Sequence, residues 1–334
     1  MVDAVAFKTR ARTIDHLGRE QIADCPTAIS ELWKNAYDAY SREVALHIFD
    51  GKIPIAAILD DGHGMNRDEI IEKWLVIGTE SKASSTEVDE GDRNGLPFRP
   101  RQGQKGIGRL SSGYLGSLLL LVSKRKSSPF VAALIDWRLF ENPFLYLQDI
   151  EIPIVEFEDK EDLWLHLPTL FDKLMGNVWG DPKDQERTKR ITMAWNEFDA
   201  LEKQEGRDPT KKAIENTLIE TTFTERHVKN WAVWSDISSN GTAMLMAGIA
   251  YDLEAQLEGA STSESETAKG AKEKLFQTLS NFTDPFFDAK KDESDLAAGD
   301  FQYSVTAWEG ELIRRIISNE REFDHNNLEE LEHL

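Results

Sequence analysis

Apolar residues Ala28, Ile29, Leu32, Trp33, Ala36, Tyr37 and Tyr40 recur at three-to-four spacing behind Pro26-Thr27, which predicts an amphipathic helix opening there. The pattern then changes period. Residues 44–49 alternate as a strand does, Gly51 turns the chain, and residues 53–59 return as the second arm of a hairpin. Asn66 is placed to cap a helix over 67–76. Residues 78–104 are polar and rich in Ser, Thr, Asp, Gly and Pro, and a loop of that length in a compact domain is expected to be a functional lid or disordered. A helical stretch over 109–116 leads into a continuous apolar strand at 118–123, and a further strand follows at 130–137.

Further along, residues 171–232 are charged and helix-periodic, and read as a helical insertion before a strand resumes at Gly241-Thr242. The Ser/Thr/Glu/Lys/Gly-rich stretch within 256–270 reads as a linker. A short helix over 271–282, an alternating run over 301–307 and a return over 308–317 read as the start of a second, β-containing domain over 271–334. The chain is expected to stop before a further β-rich domain. The expected fold is therefore α/β (α+β): a sandwich of a mixed, mostly antiparallel sheet with helices on one face, forming a first domain over 1–255.

Charge and cysteine content narrow the function. The formal net charge is −21, so a broad grip on a nucleic-acid backbone is disfavoured. The basic group Arg93, Arg99, Arg101, Lys105 and Arg109 is expected to line phosphates, and Lys124-Arg125-Lys126 to be a solvated turn. No apolar run reaches membrane-spanning length, and one cysteine, Cys25, leaves no internal disulfide. A cytoplasmic protein with no membrane partner is the expectation.

Three segments carry chemistry. In a helix, Glu31 and Asn35 share a face and Asp38 follows one turn on. An amide oxygen suits Mg²⁺, and a carboxylate one turn away can deprotonate an attacking water. In Asp60-Asp61-Gly62-His63-Gly64-Met65, a carboxylate at a strand end precedes glycines that let the backbone turn sharply and lie close to a ring. An ionised Asp60 can accept from an exocyclic amine such as that of adenine. In Gly103-Gln104-Lys105-Gly106-Ile107-Gly108-Arg109, a glycine loop before a helix forms an anion nest, without the strand of a dinucleotide fingerprint or the Gly-Lys-Ser/Thr of a P-loop. Read alone, each has a bland alternative: a surface helix, a plain Asp-Gly turn, an ordinary loop.

The order of the three over about residues 10–125 resembles that of the GHKL ATPases, which include gyrase B, MutL, the heat-shock chaperone ATPases, histidine kinases and the MORC proteins. The resemblance implies that ATP and Mg²⁺ bind here. Asn35 would hold Mg²⁺, Asp60 the adenine amine, and Gly62, Gly64 and Met65 the floor of the base pocket. Gly103, Gly106 and Gly108 would close over the phosphates with Gln104 and Ile107, and Lys105 and Arg109 would add cationic support. Thr242 matches the family's late strand threonine beside the aspartate, with Thr169 as second choice. Trp74-Leu-Val-Ile-Gly78-Thr-Glu-Ser-Lys82 most resembles bacterial MORC-like members, where Lys82 would approach the phosphates or be a plain loop lysine.

Histidine kinases carry an asparagine four residues before the metal-binding one. Glu31 stands there in this chain, as in members that hydrolyse ATP, which makes Glu31 the expected general base of an ATPase. The family's transducer lysine has no clear match among Lys272, Lys274, Lys290 and Lys291. The resemblance further implies ATP-driven lid closure and N-terminal homodimerisation of a clamp. DNA-associated work, including restriction or antiphage defence, through protein partners or other domains follows by analogy alone. The alternative is a chaperone-like or scaffolding module that uses ATP as a switch with little turnover.

Overall fold

A computed structural model describes residues 4, 6–77, 88–102, 108–236, 239–258, 265–280 and 301–319. Eight strands form one sheet: β1 (Glu43–Phe49), β2 (Ile55–Asp60), β3 (Gly116–Lys124), β4 (Phe130–Asp136), β5 (Ile154–Phe157), β6 (Gly241–Ile249), β7 (Gln302–Glu309) and β8 (Leu312–Ser318). Their order is β5-β4-β3-β6-β2-β1-β7-β8. Neighbours are antiparallel except β1 and β7, which run parallel. The expected mixed, mostly antiparallel sandwich is present.

The helix predicted from Pro26 onward is α2 (Cys25–Asp38), after a short α1 (Arg12–Leu17). Asp24 caps α2 by accepting from the Thr27 N–H at 2.9 Å, and Pro26 sits in the first turn, where its missing N–H costs nothing. Ala28, Ile29, Leu32, Trp33, Ala36 and Tyr37 are buried, while Glu31, Asn35 and Asp38 lie half-buried along the flank. Trp33 meets Tyr303 of β7 with ring centroids 4.8 Å apart, so α2 lies across the sheet. The capped helix expected over 67–76 is one turn, α3 (Arg67–Glu69), with a capping box between Asn66 and Glu69, continued by a π-helical turn over Ile70–Trp74.

Paired residues of adjacent strands share a face, so the register assigns the layers. Phe49 of β1 and Phe130 of β4 point away from α2: Phe49 meets His227 at 5.0 Å, and Phe130 meets Trp234 at 6.4 Å. The second face is covered by the helical insertion and the segment after it, comprising α5 (Asp162–Trp179), α6 (Gln185–Glu205), α7 (Thr210–Glu220) and α8 (Ala232–Ser235). The helices expected over 171–232 begin with α5 at Asp162. This first helix joins the fold by burying Leu163, Leu167, Leu170 and Leu174. Coverage on both faces explains the unbroken apolar run of β3: Leu118 to Val122 are all fully buried. Each such leucine contributes about 1.5–3 kcal/mol of burial.

A short α4 (Ser112–Leu115) leads into β3, as the sequence predicts for 109–116. The stretch expected to be a linker carries the end of a helical turn after α9 (Tyr251–Glu254) and the start of α10 (Glu266–Ser280). The described residues of the segment expected to begin a second domain lie in this same sheet and its α2 layer. β7 pairs with β1 over seven residues, and α10 is tied to α2 by Lys274 and Asp24 at 3.0 Å. The hairpin return at 308–317 is β8, with Gly310 at φ +63° in the turn. Among the described residues, no helix is long and apolar enough to cross a membrane.

Candidate functional site

Three adjacent strands set the first half of the site. β3, β6 and β2 bring Ser123, Thr242 and Asp60 into one row, because Thr242 is the register partner of both others. The Asp60 side chain is half-buried there, and its Oδ1 accepts from the N–H groups of Gly62 at 2.9 Å and Thr242 at 3.3 Å. Burial pushes the Asp60 carboxyl up to about 7. The charge of Asp61 adds to the rise, and the Gly62 and Thr242 N–H groups oppose it. A carboxylate so placed gains from a ligand that brings its own donor.

The turn after Asp60 is fixed from both sides. Gly64 sits at φ +65°, and a Cβ there would lie 2.0 Å from the Lys124 carbonyl oxygen, so only glycine fits. Ser123 Oγ accepts from the Met65 N–H at 2.9 Å and lies 3.1 Å from both the Gly241 carbonyl and Thr242 Oγ1. His63 donates its backbone N–H to the Ala39 carbonyl at 2.9 Å. Asp61, the second acid of the motif, serves the fold: its Oδ1 accepts from the N–H groups of Arg42 and Glu43 at 2.7 and 2.9 Å.

The second half lies on α2. A Cβ on Gly108 would lie 3.1 Å from Glu31 Oε2 and 3.6–3.7 Å from both polar atoms of the Asn35 carboxamide. The end of the glycine segment therefore abuts the carboxylate and the amide together. Glu31 Oε1 accepts from Lys34 Nζ at 2.7 Å. Asp38 Oδ1 accepts from the Gln102 N–H at 2.8 Å, which anchors the chain immediately before the glycine segment. Gly103, Gln104, Lys105, Gly106, Ile107 and Lys82 lie outside the described residues.

Several basic residues do other work than expected. Arg109 turns its guanidinium to backbone carbonyls, donating to Lys73 and, at 2.9 Å, to Val76; it bolts the glycine segment to the turn at 70–76. Arg99 is buried, with its guanidinium 4.5 Å from the Tyr37 ring centroid. Arg93 donates to the Val88 carbonyl at 2.9 Å. The turn expected to be solvated is also committed: Arg125 pairs with Asp92 at 2.5 Å and Glu69 at 3.3 Å, and Lys124 is buried. The fixed acceptors of Arg93, Arg99 and Arg125 make these three fasteners of the 88–102 segment. Thr169 is exposed on α5, while Thr242 is in the Asp60 row.

The donor set fits a nucleotide with its metal. Asn35 offers a hard neutral oxygen, and the α2 flank is open enough to leave Gly108 as a lining. Among the described residues, no group of three or more His, Cys, Asp or Glu could hold a metal ion by itself. A cation here would take most of its ligands from phosphate and water, which is the habit of Mg²⁺. Residues that spacing could not reveal are Trp231, Asn240, Asn94 and Ser123, all of which hold the turn from other segments.

Residues 24–157, under half of the chain, match the family model described as Histidine kinase-, DNA gyrase B-, and HSP90-like ATPase. The match spans α2, the Asp60 turn and the glycine segment, and supports the GHKL superfamily, with ATP binding and hydrolysis as the activity of the domain. A search of curated proteins finds no match to the chain.

Proposed function

We propose that the chain binds ATP with Mg²⁺ on the α2 face of its sheet and hydrolyses it to ADP and phosphate, with Glu31 as general base. One observation carries this reading: Glu31 and Asn35 converge on Gly108, while Asp60 and Thr242 present a base-recognition edge on the same side of the sheet. Asp60 accepts from the adenine amine, Thr242 lies beside it, and Gly62, Gly64 and Met65 form the floor. A base without that amine brings no donor to the carboxylate beyond the Gly62 and Thr242 N–H groups and is rejected.

Asn35 would hold Mg²⁺, which when bound supplies charge neutralisation for the phosphates. Asp38 orients the approach to the glycine segment, and Gly103 to Gly108 wrap the phosphates, with Lys82 and Lys105 as cationic support. Glu31 orients a water, takes its proton as the water oxygen attacks the terminal phosphorus, and ADP leaves. Steady-state phosphate release tests this. Glu31→Ala is expected to keep ATP binding and to lose about a hundredfold or more in turnover. Wild type that binds ATP yet releases no more phosphate than the variant overturns the hydrolase reading.

That outcome would favour the second reading, a chaperone-like or scaffolding module switched by ATP with little turnover. The observation favouring it is the Lys34 ammonium, which occupies Glu31 Oε1. In either case ATP would close the lid at 78–109 and bring two N-terminal regions together as a clamp, of the MORC-like kind, acting with protein partners or DNA. Light scattering checks the association: dimers are expected with a non-hydrolysable ATP analogue, and monomers throughout would contradict it.

A further inference from the structure

The turn at the base end presents three consecutive carbonyls, and each accepts from a side-chain N–H supplied by a distant segment. Trp231 Nε1 donates to the Asp60 carbonyl at 2.8 Å, Asn94 Nδ2 to the Asp61 carbonyl at 3.1 Å, and Asn240 Nδ2 to the Gly62 carbonyl at 2.6 Å. The three donors are themselves located. The Trp231 indole is 1% exposed, at the head of α8 in the layer that covers the second face of the sheet. Asn94 adopts φ +51° and also donates to the Tyr40 carbonyl at 3.0 Å. Asn240 Nδ2 reaches Asn94 Oδ1 at 3.2 Å, so the two amides support each other.

Backbone carbonyls in a tight turn tolerate several rotations of their peptide planes. Fixing three in a row leaves one arrangement. The same peptide units carry the Gly62 N–H that holds Asp60 Oδ1. The direction of the carboxylate thus depends on donors that never touch a ligand.

We infer that Trp231, Asn94 and Asn240 are positioning residues for base recognition: they hold the Asp60–Gly62 turn so that the carboxylate meets an exocyclic amine. This rests on the reading of Asp60 as the adenine contact. Through Trp231, the helical layer on the far face is fastened to the base pocket.

The test compares ATP with ITP, whose base carries a carbonyl in place of that amine, by titration calorimetry on the full chain. Trp231→Phe keeps the ring and removes the donor; Asn94→Ala and Asn240→Ala remove the amides. Each is expected to weaken ATP binding about tenfold, the equilibrium equivalent of one lost hydrogen bond, and to leave the weaker ITP binding unchanged. The ratio of the two affinities does not depend on the folded fraction, so a loss of stability alone would not move it. Should Trp231→Phe fail to fold, the two half-buried asparagines carry the test. Asp60→Asn separates the two layers of the argument. If it keeps the ATP preference, the base-pocket reading falls and the positioning role falls with it. If it abolishes the preference while all three positioning variants keep the wild-type ratio, the base pocket stands and the positioning role is overturned.

Discussion

The two ends of the site are built differently. At the base end, Asp60 Oδ1 accepts two backbone N–H groups, Ser123 ties the turn to β6, and Gly64 is locked at φ +65° against the Lys124 carbonyl. At the hydrolytic end, Glu31 is held by a half-exposed lysine one turn away, and the nearby Arg109 guanidinium is committed to the carbonyls of Lys73 and Val76. On the proposed reading, the base end is therefore held by fixed backbone hydrogen bonds, whereas the hydrolytic end rests on a partly exposed ion pair. A partly exposed helical pair such as Glu31–Lys34 is worth about 0.3–0.5 kcal/mol, little enough to be exchanged for a better partner. If that reading holds, preorganisation would be concentrated where the base is selected and adaptability where the phosphates are enclosed.

The sharpest way to break that contrast is Gly64→Ala. A Cβ at this position meets the Lys124 carbonyl oxygen at 2.0 Å, and its φ adds about 1–3 kcal/mol of strain for a side-chain-bearing residue. ATP binding is expected to be lost and the thermal midpoint to fall, whereas Glu31→Ala at the other end loses turnover and keeps binding. ATP affinity equal to wild type in Gly64→Ala would show that the base end is not rigid in the way described.

A smaller effect follows from the Asp60 carboxyl, raised by burial to about 7. A carboxyl raised on folding stabilises the empty protein most below its ordinary value of 3.8, and that contribution is lost as pH climbs towards about 7. Binding has the opposite sign, because the amine donor of adenine favours the ionised form. The ratio of ATP to ITP affinity should rise by up to about tenfold per pH unit below about pH 7 and level off above it. Titration of both nucleotides across this range checks it, and a flat ratio would contradict the role given to Asp60.

Much of the fold was legible because its signals are local. The α2 face follows from helical spacing behind Pro26, and the unbroken apolar run of β3 marks a buried strand, although helices were expected on one face and the structure covers both. Asp60 and Gly64 were visible because a strand end followed by glycines is a short-range pattern, whereas Thr242 was reached only through the family resemblance. The clamp on the turn was not legible: Trp231 and Asn240 lie 171 and 178 residues from the carbonyls they serve, and no periodicity marks them. The pairing of β7 with β1 joins residues still further apart in the chain, Glu43 with Gln302, so alternation alone gave two strands without their sheet. The basic residues were misread for a related reason. A run of arginines reports charge but not acceptors, and Arg99, Arg109 and Arg125 found theirs in Ser41, Lys73 and Asp92.

The account turns on one side chain at the base end and one at the hydrolytic end acting on a single bound ATP. The most direct measurement is calorimetric titration of wild type and Asp60→Asn with ATP and Mg²⁺. The account predicts saturable binding by wild type and its loss in Asp60→Asn, with the folded state retained. Undiminished affinity in the variant would contradict it, because the row of Ser123, Thr242 and Asp60 would then not be where the base is read.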